Sequence, residues 1–334
     1  VVTMNVLVTG ANGFVGTALC EYLEETGDNI QRAIRRKIGN TIKPSEQVVG
    51  NIDATTDWFA ALHGVDAIVH LAARVHVMND PISDPLGEFR KVNTEGTINL
   101  ARQAAAAGVR RFVFLSTIKV NGEKSGPGDE KKSGGFCEAD IPNPADDYAV
   151  SKWEAEQALS QISEETGMEL VIVRTPLVYG SGVKANFVRL LKWIDKGVPL
   201  PLGCIDNRRS LVSLENLVAF LFKCIKEPDA AGETFMVADG EDVSTSELIR
   251  RIAGFMGRRA RLVPVPESLL RLGGRLLGKS AEIDRLCDSL QVDITKAKSV
   301  LNWEPPLSLD DGLQKTVDWY MGERLKVLGE SQRI

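Results

Sequence analysis

The chain has 334 residues, 43% hydrophobic and 25% charged, with a formal net charge of −5 and a pI near 5.5. This is the balance of an ordinary globular chain, long enough for one large domain or two modest ones, and it argues against a general nucleic-acid binder. No apolar run reaches the ~18 residues of a membrane span, and the five cysteines (Cys20, Cys137, Cys204, Cys224 and Cys287) are scattered without C-x-x-C pairing, so neither a zinc site nor a disulfide framework is expected.

Residues 4–9 (MNVLVT) are an apolar, β-branched run that ends at Gly10-Ala11-Asn12-Gly13-Phe14-Val15-Gly16, after which a helical pattern extends to about residue 26. Strand, glycine-rich turn and helix form the setting of a dinucleotide site. Gly10 permits the tight turn, Gly13 lets the backbone approach a pyrophosphate, and Gly16 allows close helix packing. Asn12, Phe14 and Val15 line the same turn, and phosphates would face the helix N-terminus.

A second strand over 29–34 tests the cofactor. An NAD site places an acid about 20 residues beyond the glycines, whereas this stretch continues into Arg35-Arg36-Lys37 with no acid. Arginines grip a 2′-phosphate that a carboxylate would repel. NADP(H) is therefore favoured, with Arg35 as first contact and Arg36 as second, and NAD(H) is the alternative.

Residues 47–52 read as a strand whose end, Ile52 and Asp53, meets the adenine. Residues 67–71 read as a buried strand followed by small residues, so Leu71, Ala72 and Ala73 would approach the cofactor. A helix over 86–107 carries Asn93, and 111–115 is a further strand ending at Ser116 and Thr117. Strands alternating with helices imply an α/β, doubly wound parallel sheet with ligands beyond the strand C-termini. Tyr148 and Lys152 open the next helix four residues apart, hence on one face. A phenol titrates near pH ~10, and a neighbouring ammonium would bring it toward neutrality.

TGANGFVG at 9–16, HLAA at 70–73, VNTEGT at 92–97, the Ser116-Thr117 strand end, YAVSK at 148–152 and RTPLVYG at 174–180 appear in this order. Together they resemble the extended short-chain dehydrogenase/reductase superfamily, the NAD-dependent epimerase/dehydratase type, over nearly the whole chain. The resemblance implies a Rossmann sheet in which Tyr148 is the general acid/base, Lys152 binds the nicotinamide ribose and lowers the tyrosine pKa, and Asn93 supports the site from behind. It places a hydroxyl for the reacting sugar oxygen on Thr117, with Ser116 as neighbour. Dehydratases of this kind carry Thr-Asp-Glu where this chain has Thr117-Ile118-Lys119, so dehydration is not expected. With RVHVMND at 74–80, GVKANF at 182–187 and NRRSLV at 207–212, the chain also resembles bacterial reductases that convert a UDP-4-keto-6-deoxy-N-acetylhexosamine to UDP-N-acetylquinovosamine. The expectation is therefore NAD(P)H-dependent reduction of a C4 keto group. The alternative is a UDP-sugar 4-epimerase with retained NAD, and a non-catalytic dinucleotide sensor is a remote third.

The substrate side is less patterned. Residues 121–147, rich in Gly, Pro, Lys and acids, read as a long loop lining the sugar pocket. His76, Lys119, Asn186, Arg209 (with Arg208 as runner-up) and Arg285 are the candidates for UDP-sugar contacts. Helix 148–166 and strand 169–173 complete the first half, and 210–214 and 234–237 read as strands returning to the main sheet. The division expected is a dinucleotide domain over 1–180 with a returning segment at 210–238. A smaller, interleaved α/β nucleotide-sugar domain would take 181–209 and 239–334. Between 250 and 279 there are eight Lys/Arg and one acid, Glu267. The amphipathic stretch 268–278 reads foremost as a helix packed over the cleft, and only secondarily as a membrane-surface helix. No basic leader precedes an apolar core, so a cytoplasmic protein is expected. The resemblance also implies a homodimer through the helices near 88–107 and 148–166.

Overall fold

The computed structural model describes residues 3–36, 45–75, 83–126 and 135–331, with side chains through 325. In chain order, β1 (Asn5–Thr9), α1 (Phe14–Glu25), β2 (Asn29–Ile34), β3 (Glu46–Val48) and β4 (Ala67–His70) come first. α2 (Pro85–Phe89), a π-helical turn over Arg90–Glu95 and α3 (Gly96–Ala106) lead to β5 (Arg111–Thr117), and α4 (Asp147–Thr166) leads to β6 (Glu169–Thr175). After them come β7 (Leu177–Tyr179), α5 (Ala185–Asp195), β8 (Arg209–Ser213), α6 (Leu214–Lys226), β9 (Thr234–Met236) and β10 (Asp242–Val243). Five helices finish the chain: α7 (Thr245–Phe255), α8 (Glu267–Leu276), α9 (Ser280–Cys287), α10 (Thr295–Leu301) and α11 (Leu309–Ser331).

The main sheet has seven strands in the order β3-β2-β1-β4-β5-β6-β9, and every pairing is parallel. The doubly wound α/β expectation therefore holds. Both faces are covered, as the near-continuous apolar strands require. Val6, Val8, Val69, Val113 and Val171 face a core shared with α1 and α6. Their alternates Leu7, Ile68, Phe112, Phe114 and Ile172 face α3 and α4. The strand order reverses between β1 and β4, which puts the crevice for a ligand beyond Thr9 and His70.

Two expectations change. The strand foreseen over 47–52 stops at Val48: Gly50 follows with φ +75°, and the chain then enters a turn in which Asp53 Oδ1 accepts from the N–H and hydroxyl of Thr55 and the Asp53 N–H goes to Thr56 Oγ1. Of the two segments expected to return to the main sheet, only β9 does so, pairing with β6. β8 joins a separate three-stranded sheet in the order β10-β8-β7. Pro176, with no N–H to give the ladder, separates β6 from β7, and β7 then turns away and pairs with β8. A further core of Leu191, Leu211, Ile249, Ile252, Leu313 and Val317 lies around that small sheet.

The loop after β5 is pinned where it is described. Ser125 N–H donates to Ser289 O at 3.0 Å, Phe136 N–H to Gln291 O at 2.8 Å, and Asp293 N–H to Phe136 O at 2.8 Å. It thus runs between the main sheet and the segment that follows α9.

Candidate active site

The glycine turn is shaped by contacts that exclude a Cβ. Gly10 has φ +66°, and a Cβ there would stand 2.9 Å from Ala72 N. A Cβ on Gly16 would stand 2.1 Å from Gly10 O, so the turn and the first turn of α1 are in contact. Gly13, the N-cap of α1, supplies no side-chain hydrogen bond, and the first helical turn holds no acid. Its N–H groups and dipole are thus left for an anion, and a dinucleotide pyrophosphate fits this cradle. Phe14 packs into both the sheet core and the small-sheet core. Across the crevice, Thr9 Oγ1 accepts the N–H groups of Leu71 and Ala72 at 3.2 Å each and bonds His70 Nδ1 at 2.7 Å. His70 is fully buried, and burial first, then the Lys152 charge, pushes its pKa down to about 3, so this is a neutral, structural imidazole.

Arg35 and Arg36 stand exposed just past the end of β2. Asp53 is turned into its own 53–56 turn, and Ile52 packs against Gly96 at the start of α3. His76 lies outside the described residues.

Asp146 caps α4 by accepting from Ala149 N–H at 2.8 Å, which fixes the turn carrying Tyr148. The Tyr148 ring meets Phe89 edge-on with centroids 6.1 Å apart. Asn93, buried in the π-helical turn, accepts from Arg74 N–H at 2.8 Å and donates to Arg74 O and Ser151 Oγ at 3.0 Å each. π-helical turns are frequent at functional sites, and this one ties the end of β4 to the YAVSK helix.

The electrostatics differ from the expectation. Burial, then the Asp146 carboxylate, push the Tyr148 phenol up to about 12. Lys152 is 1% exposed, its Nζ stands 3.7 Å above the centroid of the Phe114 ring, and burial pushes its own pKa down to about 7 against the opposing pull of Glu156. The causes acting on the phenol are burial and Asp146, and Lys152 is not among them.

Ser116 is also corrected. Residues 116 and 117 alternate faces, and Ser116 points at α4, where its hydroxyl donates to Glu156. Glu156 is itself locked in a buried pair with Arg174 at 2.6 Å. Ser116 is thus occupied in the packing of α4 on the sheet. Thr117 is at the open strand end, its hydroxyl accepting from Lys119 N–H at 3.3 Å.

Around Thr117 and the start of α4 lies a charged cluster that pattern reading did not reveal. Lys119 Nζ binds Glu123 at 2.8 Å and Asp146 at 2.6 Å. Arg285, on α9, reaches the same two acids at 3.6 and 3.8 Å. Burial works to raise the Asp146 pKa, but the Lys119 ammonium and the Ala149 N–H outweigh it and hold the carboxyl below its usual range. An Asp ahead of a helix is a legible cap; Glu123, in an unpatterned loop, gave no signal. Arg209 donates through one guanidinium nitrogen to the carbonyls of Arg285 and Asp288 at 2.6 and 3.1 Å, at the end of α9, and burial lowers its pKa. Asn186 is exposed at the start of α5, beside Ala185, a non-glycine residue at φ +55°.

The chain was compared with known proteins. It is 44% identical over 318 residues, 95% of either chain, to a Vibrio cholerae protein named UDP-glucose 4-epimerase. It is 27% identical, over 94% of this chain and 95% of the relative, to the Escherichia coli O157:H7 N-acetyl-alpha-D-glucosaminyl-diphospho-ditrans,octacis-undecaprenol 4-epimerase. Among solved structures, MoeE5 in complex with UDP-glucuronic acid and NAD superposes with a TM-score of 0.75 at 25% identity, covering 96% of this chain and 99% of that one. Bacillus cereus UDP-glucuronic acid 4-epimerase in complex with NAD, 22% identical, gives the same score and coverage. The model of the NAD dependent epimerase/dehydratase family matches residues 6–238, and with it the chain belongs to that family.

Proposed function

We propose that the protein is a nucleotide-sugar 4-epimerase acting on a UDP-hexose with a retained nicotinamide dinucleotide. The observation that carries this reading is 44% identity along 95% of the chain to the Vibrio cholerae protein of that name. Ile118 and Lys119, where dehydration would need acids, agree with it. In this reading a dinucleotide half takes residues 1–180 with a returning segment at about 210–238, and a sugar-nucleotide half takes 181–209 and 239–334. The two sheets support it, as does the packing of α6 on the main-sheet core, while α10 also packs there.

The residues take the following parts. The Gly10–Gly16 turn and the α1 N-terminus hold the pyrophosphate, with Asn12, Phe14 and Val15 along it and Leu71, Ala72 and Ala73 opposite. A bound nicotinamide dinucleotide supplies oxidation and reduction at the sugar carbon. Tyr148 exchanges the proton of the sugar 4-oxygen, and the Thr117 hydroxyl holds that same oxygen. Lys152 hydrogen-bonds the ribose. Lys119, Arg285 and Asn186 face the UDP-sugar, while Arg209 positions α9. A homodimer through the helices near 88–107 and 148–166 belongs to the same reading and is checked by sedimentation.

The second reading is NADPH-dependent reduction of a UDP-4-keto-6-deoxy-hexosamine, favoured by the acid-free end of β2 with Arg35 and Arg36 exposed there. One pair of assays separates the two. Interconversion of UDP-glucose or UDP-N-acetylglucosamine with their 4-epimers, without added cofactor, is the expected outcome. NADPH oxidation stoichiometric with a UDP-4-keto sugar, and no epimer formed, overturns it in favour of reduction. In that case Arg35→Ala weakens NADPH binding while leaving NADH binding unchanged. Tyr148→Phe abolishes turnover in either reading, by ~10² to 10⁴-fold, and leaves cofactor binding intact.

A further inference from the structure

α8 carries its apolar stripe on the outside. Leu269, Leu272 and Leu276, at i, i+3 and i+7, are 57%, 52% and 80% exposed, and Leu277 just beyond is 76% exposed. At ~100° per residue these three helical leucines fall within one narrow sector. The opposite side anchors the helix: Leu270 packs on the small-sheet core with Ile283 of α9, and Gly274 is buried against Ile283. Arg271 ties α8 to Asp284 and Asp288. The fold therefore does not need the outward leucines for its own closure, and an exposed apolar stripe of this kind on a surface helix marks a contact.

The surroundings say with what. The chain as a whole is acidic, with a net charge of −5, yet Arg259 and Arg261 before this helix, Arg275 on it and Lys279 after it are all exposed, against the exposed Glu282 of α9. The one acid of α8, Glu267, is held by Arg271 at 2.6 Å. A second copy of the same face would oppose cation to cation. The stripe also holds no aromatic residue of the kind that anchors protein interfaces. α8 is 10 residues long, too short to cross a bilayer, so a membrane contact through it lies along the surface.

We propose that α8 docks the protein on an anionic lipid bilayer, its leucines entering the headgroup boundary and its rim of Arg and Lys meeting the lipid phosphates. Each cation near an anionic leaflet is worth about a fivefold gain in partitioning, so binding depends on both halves of the face.

The test is co-sedimentation of the full chain with vesicles of phosphatidylcholine alone and of phosphatidylcholine mixed with phosphatidylglycerol. Partners are Leu272→Ser/Leu276→Ser and Arg275→Gln/Lys279→Gln. All four positions are exposed, and unchanged melting temperature and cofactor binding verify folding. The expected result is binding to the anionic vesicles that weakens with salt, falls at least tenfold in either double variant, and is much weaker on phosphatidylcholine. Equal binding by wild type and variants overturns the proposal, as does no binding to either vesicle. Concentration-dependent self-association, or binding of a soluble protein, that the leucine variant abolishes while vesicles are ignored assigns the face to that other partner and likewise overturns it.

Discussion

Asp146 does three things at once: it caps α4, it takes the Lys119 ammonium, and its charge opposes ionisation of Tyr148 two residues on. Asn caps a helix as well as Asp does, so Asp146→Asn keeps the turn and removes the charge. The smaller of the two causes that raise the phenol pKa is then gone while burial remains, and the limb of the pH–kcat/KM profile governed by Tyr148 moves to lower pH. Lys152 gives the complementary case. Burial holds its pKa near 7, so between pH 7 and the usual lysine range the unfolded chain binds a proton that the folded chain has released. Stability therefore rises with pH through that window. Lys152→Met is expected to abolish turnover yet raise the melting temperature at pH 7 and below, with the difference shrinking as pH approaches 10; thermal melts across this range check it. At this scale the sequence displayed residue types but not directions. Ser116 and Thr117 are adjacent and chemically alike, and only strand parity, set by pairing with β6, turns Ser116 onto Glu156.

Among the elements, the glycine turn was legible because it is local: φ at Gly10 and the contact of Gly16 with Gly10 O arise within a few residues. The helix expected over 86–107 was legible in extent but not in form. Its π-helical turn over Arg90–Glu95 accompanies the contacts that Asn93 makes with Arg74 and Ser151, partners distant in sequence. Asn93→Ala leaves the Arg74 backbone and the Ser151 hydroxyl without that partner. It should cost about 2–3 kcal/mol in a urea titration and reduce turnover, since Tyr148 rides on the helix that Asn93 holds.

For the molecule as a whole, alternation of strand and helix was enough to foresee a parallel sheet, since buried strands announce themselves. Nothing local could place β8, because its partner is decided by where Pro176 turns the chain. The charged cluster of Lys119, Glu123, Asp146 and Arg285 was equally invisible: it joins the end of β5 to α9, and ion pairs between distant segments leave no periodicity. A chain cut after residue 232 retains β1–β8 but loses β9, α7 and the later helices. It is expected to be insoluble or strongly dye-binding where the full chain is monodisperse, as light scattering and binding of a hydrophobic dye would report.

The position of β9 also has a bearing on how the protein is made. β6 is complete on the ribosome long before β9 exists, because β7, α5, β8 and α6 are synthesised between them. Throughout that interval the nascent chain presents an unpaired, apolar strand edge of the kind that recruits other strands. The sheet is completed only when β9 arrives, after β7 and β8 of the small sheet. A longer stay of that edge without β9, as when translation is slowed between β6 and β9, is therefore expected to lower the soluble yield, which expression with and without slow codons in that interval would check.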